Sequence, residues 1–235
     1  MHAEHIIKSK LYGEIARSVG RNGLEKSDAD ALCGLIVSVA NEVGPAMELI
    51  PITFRQYTVH DIRHIGNILH LMGLIIPPKT LQSLNAIELA MLVLGALLHD
   101  VGMIVGDKEK ESALESHEFA RFCDGYLDRL EAIDNARTFG RELQARAIED
   151  ALLAEYFRRL HPERVWDYVR LRNRKLQIRD FDLSADVCRL CESHAWGFEE
   201  SNDPRYPKKA VAFLDDDKRV YGFPLNLQYL SPPVA

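Results

Sequence analysis

Two histidines four residues apart, His60 and His64, and an adjacent His99-Asp100 pair carry the side chains best suited to holding a metal ion or a phosphate. On a helix, residues four apart share a face, so the imidazoles of His60 and His64 would point at one place. Ordinary polar helix residues show the same spacing, and alone it decides nothing. His99 and Asp100 close the most apolar run of the chain, Leu89 to Leu98. A carboxylate placed there is costly to bury without a partner. A divalent cation is one such partner, since imidazole and carboxylate both ligate Mn, Fe, Ni, Co or Zn, and a carboxylate can bridge two ions. A simple helix end, with His99 at the dipole and Asp100 opening a turn, accounts for the pair equally well on spacing alone. His161 follows Arg158 and Arg159, and His194 follows Cys188 and Cys191. The last three could suggest zinc, but no second ligand pair stands at a suitable spacing, so a small apolar pair in a helix is the better reading of the cysteines. His2, His5, His70 and His117 have no companion that would single them out.

The elements that must position these residues are helical. Apolar residues recur at three- and four-residue spacing and almost nowhere alternate, which predicts an all-α, multi-helix bundle. The pattern predicts helices over Glu4 to Val19, then from Ser27 to Val43 with a stop at Gly44-Pro45, and an extended segment over Leu49 to Tyr57. Thr58 and Asp61 have capping-box spacing and would open a helix through Met72, closed by Gly73 and Pro77-Pro78. Asn85 to Asp100 is apolar around most of its circumference, as a central core helix is, and Gly102 is placed to end it. Helices are expected near Glu111 to Arg129, Thr138 to Leu160, Val165 to Leu171 and Ala185 to His194. The expected organisation is one domain: N-terminal helices over 1–50, a core over 52–198 and a loop-rich, proline-bearing tail over 199–235.

Composition narrows the function classes. The chain has 235 residues, 47% of them hydrophobic, enough for a sizeable core. Its net charge of −6 repels nucleic-acid phosphates, and nucleic acid is not an expected partner. Four cysteines do not make a disulfide framework, and Met1 to Lys10 lacks the apolar stretch of an export signal. The run Leu89 to Leu98 is about half of the roughly 20 residues a membrane span needs. A cytoplasmic protein without a membrane partner is expected. Against this acidic background, basic residues from Arg158 to Arg179, Arg164 among them, flank His161 and could draw in a polyanionic ligand.

In order along the chain, YTVHDIRHIGNIL at Tyr57 to Leu69, LLHDVGM at Leu97 to Met103, RRLHPERVWDYV at Arg158 to Val169 and CRLCESHAW at Cys188 to Trp196 resemble the HD superfamily of metal-dependent phosphohydrolases. The resemblance spans about Ile52 to Leu230. It is greatest to bacterial HD domains joined to GHKL-type ATPase or conflict-associated modules. It implies metal ligands at His64, His99, Asp100, His161 and His194. It also implies catalytic roles for Asp100 and His60, and substrate contacts from His60, Arg158 and Arg159. The implied cofactor is a divalent transition metal, one or two ions of Mn, Fe, Ni, Co or Zn, with Mg also compatible. The implied reaction is hydrolysis of a nucleotide or other phosphoester by a metal-activated water. The implied partners are a small phosphorylated ligand and an ATPase domain or a second copy of the chain. Family members continue past a segment like VYGFPLNLQYL into a helix with a ligating aspartate, whereas here Pro232 and Pro233 follow and no aspartate comes after Asp217. The sequence thus reads as an HD domain truncated before its final aspartate or a variant without it. The alternative expectation is a catalytically degenerate module that binds metal or nucleotide and regulates a partner. Met103 replaces the lysine of the cyclic-dinucleotide branch, and that branch's GYP is absent.

Overall fold

The structure is a computed structural model and describes residues 2–21, 25–55, 61–171, 176–178, 181–194, 217–220 and 223–226. The chain folds into an all-α bundle. Its helices are α1 (Glu4–Ile7), α2 (Lys10–Arg17), α3 (Lys26–Met47), α4 (Ile50–Thr53), α5 (Ile62–Ile75), α6 (Pro78–Ser83), α7 (Ala86–Leu98), α8 (Asp107–Leu114), α9 (His117–Cys123), α10 (Leu127–Thr138), α11 (Glu142–Leu171) and α12 (Ser184–Ser193). A 3-10 turn, Val101–Met103, follows α7. Two small antiparallel hairpins complete the described residues, β1 (Gln177–Ile178) with β2 (Phe181–Asp182) and β3 (Asp217–Val220) with β4 (Phe223–Asn226).

The centre is α7, and its sequence explains why. Asn85 accepts hydrogen bonds from the Ile87 and Glu88 backbone at 2.9 and 3.0 Å, and the Glu88 carboxylate returns one from the Asn85 N–H at 2.9 Å. That capping box satisfies the first turn of a helix whose residues are then buried on nearly every side. Helices α2, α3, α5 and α12 pack around it. Lys26–Thr53 and Ala86–Met103 are long and apolar enough to cross a bilayer on length and composition. In this bundle 83% of the second stretch is buried, as befits a core helix.

Several local expectations change. The first predicted helix is two, because Ser9 takes extended backbone and caps α2 through the Tyr12 N–H. Helix α3 runs through Pro45, since Val43, Gly44 and Met47 are buried and the proline forfeits only one bond in the last turn. Gly44 is there for packing: a Cβ would lie 2.6 Å from the His2 side chain. The expected extended segment contains α4, with Pro51 in its first turn, where proline is well tolerated. Asp61 caps α5 with both Arg63 and His64 N–H groups, and the predicted opening at Thr58 lies outside the described residues. Three short helices occupy 107–138, and α11 is continuous through Pro162 where two helices were expected. Within the tail, Asp217–Val220 and Phe223–Asn226 pair as β3 and β4, and the other residues of 199–235 lie outside the described residues.

Candidate metal centre

Four elements bring five predicted residues together. His64 stands in the first turn of α5, oriented by the Asp61 cap; His99 and Asp100 end α7; His161 lies within α11; and His194 ends α12. His99 Nε2 lies 2.9 Å from Asp100 Oδ2, His64 Nε2 4.0 Å from the same oxygen, and His161 Nε2 3.6 Å from Oδ1. His161 Nε2 and His194 Nε2 are 2.9 Å apart. Donor atoms of His64, His99 and Asp100 lie within 4.8 Å of one another, as do those of Asp100, His161 and His194, so each trio could hold a metal ion. The Asp100 side chain, common to both, is only 6% exposed.

The hydrogen bonds fix which nitrogens are available. His99 Nδ1 donates to the Ala96 carbonyl at 3.0 Å, His161 Nδ1 to that of Arg158, and His194 Nδ1 to that of Cys191. A carbonyl only accepts, so each Nδ1 carries the proton, and in a neutral ring Nε2 is left as a lone pair. Of these, the Nε2 atoms of His161 and His194 meet at 2.9 Å, and that of His99 lies 2.9 Å from the Asp100 carboxylate. Acceptors crowded in this way need a proton or a metal cation between them. Tying one ring nitrogen to a carbonyl while aiming the other at the site is how proteins prepare histidine ligands. The donor set therefore fits a divalent ion.

Electrostatics agree with the geometry. Burial, then the positive charge of His99, pushes His194 down to about 4, so it is neutral at pH 7. Burial likewise lowers His161 despite its carbonyl partner and Asp100. Burial also disfavours a charge on His99, but the Asp100 carboxylate beside it and the Ala96 carbonyl together raise it above the ordinary histidine value. The model of the HD-CE family matches residues 54–231, more than half of the chain, and that stretch includes all five clustered residues. The chain belongs to the HD-CE family. No curated protein and no solved structure matches it.

The HD-CE chain holds its two trios in register with residues that sequence reading had cast differently. By sequence Gly102 is placed to end a helix. In the fold the turn after Asp100 presses against α11, and a Cβ on Gly102 would overlap the His161 carbonyl. The sequence leaves Arg164 open between a group that could draw in a polyanion and a solvated helix face. Its guanidinium donates to the carbonyls of Gly102 and Ile104 at 2.6 and 2.9 Å, pairs with Glu109, and lies over the Phe157 ring at 5.0 Å. It thereby fastens the turn after Asp100 to the helix that carries His161. Arg158 is held by Glu155 in a two-point pair of 2.6 and 2.7 Å, and its backbone carbonyl orients His161. Arg159 reaches Tyr126 Oη at 2.6 Å and Glu155 at 3.2 Å. His60 lies outside the described residues. Cys188 and Cys191 are buried free thiols; burial pushes Cys188 up to about 12 and Cys191 well above its ordinary value, so neither offers a thiolate. The carbonyl partners and Arg164 left no sequence signal beyond a histidine three residues after each acceptor.

Proposed function

We propose that this HD-CE chain is a metal-dependent phosphohydrolase acting on a nucleotide or another phosphoester. The supporting observation is the convergence of three imidazole Nε2 atoms, each with Nδ1 tied to a carbonyl, on one buried carboxylate. In this reading His64, His99 and Asp100 hold one ion, and Asp100, His161 and His194 hold a second. Neutral imidazoles with a carboxylate suit Mn, Fe, Co, Ni or Zn. Such ions, when bound, acidify a water and polarise a phosphoryl oxygen.

The chain's own groups supply the rest. Asp100 sets the spacing between the two trios, and the carbonyl bonds stop three rings from turning away. The His64 side chain is 32% exposed, against 16% for His99, 10% for His161 and 6% for Asp100, and ligand is proposed to enter on its side. Arg158 and Arg159, one turn before His161, add positive charge for a phosphate, partly offset by Glu155. His60, four residues before His64 in the sequence, is proposed to act on the phosphate or on the proton of the attacking water.

The test is a panel of nucleotides and a generic phosphodiester assayed with Mn, Ni or Co. Wild type turns over, whereas His99→Ala and Asp100→Ala lose on the order of 100-fold or more. Equal turnover in all three proteins would overturn the assignment. Nucleotide or metal binding without turnover would favour instead a regulatory module working beside a partner domain.

A further inference from the structure

His161 stands well inside α11, where a carbonyl is normally used by the N–H four residues on. The carbonyl of Arg158 would bond residue 162, and residue 162 is a proline with no N–H to give. The helix nevertheless continues to Leu171 with Pro162 buried in it, and the Arg158 carbonyl receives His161 Nδ1–H. His99 and His194 need no such device. Their acceptors, Ala96 and Cys191, lie in the last turns of α7 and α12, where carbonyls lack helical partners. All three rings thus use a carbonyl that the helix leaves over. Two are left over by a helix end and one by a proline.

We infer that Pro162 is a positioning residue for the metal cluster: by withholding an N–H from the Arg158 carbonyl, it reserves that acceptor for His161 Nδ1 and aims His161 Nε2 at Asp100 and His194. The functional consequence rests on the metal-binding reading above, but the effect on the ring does not. Restoring an N–H at this position brings a competitor to the carbonyl. His161 then loses its fixed tautomer and orientation, although α11 itself becomes a more regular helix.

The experiment compares wild type with Pro162→Ala and with a semisynthetic chain carrying the α-hydroxy analogue of alanine at 162, which lacks an N–H as proline does. Ring 15N shifts of His161 are read on the metal-free full chain, and Co(II) affinity is read by calorimetry. Pro162→Ala is expected to melt no lower than wild type, to lose the Nδ1–H pattern at His161, and to bind the second Co(II) about 10–100-fold more weakly. The hydroxy-acid chain is expected to regain both the ring pattern and the affinity. Wild-type ring shifts or wild-type affinity in Pro162→Ala would overturn the inference, as would a hydroxy-acid chain no better than Pro162→Ala. Failure of wild type to take up any metal would count against the metal-binding reading alone, since the ring shifts are measured without metal.

Discussion

The two trios that share Asp100 are held in unlike ways. On one side, His161 and His194 come from separate helices, each with Nδ1 tied to a carbonyl of its own turn, and their Nε2 atoms already meet at 2.9 Å beside the carboxylate. On the other, His99 is equally fixed, but His64 stands in the first turn of α5, partly open to solvent, with Nε2 4.0 Å from Asp100. Preformed, enclosed ligand sets bind with less reorganisation, while an open position is what water or substrate needs. On the metal-binding reading, the difference predicts retention on the His161-His194 side and exchange on the His64 side.

The sharpest way to break this contrast is to remove one ligand from each side. His194→Ala should abolish the tighter phase of a two-phase metal titration, a loss of about 100-fold or more in affinity, while His64→Ala should weaken only the looser phase, by about 10–100-fold. Calorimetry distinguishes these outcomes, and identical effects of the two substitutions would erase the contrast. A smaller effect is expected at the join between the sides. Gly102→Ala places a Cβ on the His161 carbonyl, so α11 must shift away from the turn after Asp100. The expected cost is about 1–3 kcal/mol of stability, seen as a Tm several degrees lower, together with weaker metal binding. An unchanged Tm would mean that the turn yields freely.

The smallest effect is on the pH dependence of the chelator-treated protein. The folded state holds His194 near 4 against an ordinary value of 6.5, so its contribution is intact above about pH 6.5 and is lost as pH falls from there toward 4. His161 acts in the same direction. His99, whose value is raised, acts oppositely: its contribution is present at low pH and is lost as pH rises through that raised value. The Tm of the apoprotein should therefore drop more steeply between pH 6.5 and 4 than that of His194→Gln. Parallel curves for the two proteins would contradict the burial of His194 as a neutral ring.

How much of this could be read from sequence depends on whether the determining contact is local. The core helix α7 was legible because Asn85 and Glu88 form a cap within one turn and the apolar run that follows leaves no polar face. The cluster was legible through the order of its histidines in a family pattern, since spacing alone left His99-Asp100 as plausible a helix end as a metal ligand. What was not legible depends on distant partners. Gly44-Pro45 reads as a stop for α3, and two helices are expected where α11 runs unbroken, yet burial of Met47 on one and of Phe157 and Val165 on the other keeps each helix intact. Gly102 and Arg164 act across 59 and 62 positions of chain, through the His161 carbonyl and the Gly102 carbonyl respectively. No window of sequence contains those pairs.

The central claim is that Asp100 organises a metal centre, and metal content tests it most directly. Protein purified without chelator is examined by elemental analysis beside Asp100→Ala, with circular dichroism to establish that both are folded. Wild type should carry two transition-metal ions per chain, or one if the open side exchanges during purification, and folded Asp100→Ala should carry none. Wild type that stays metal-free even after incubation with Mn, Co or Zn, or Asp100→Ala that retains the wild-type content, would contradict it.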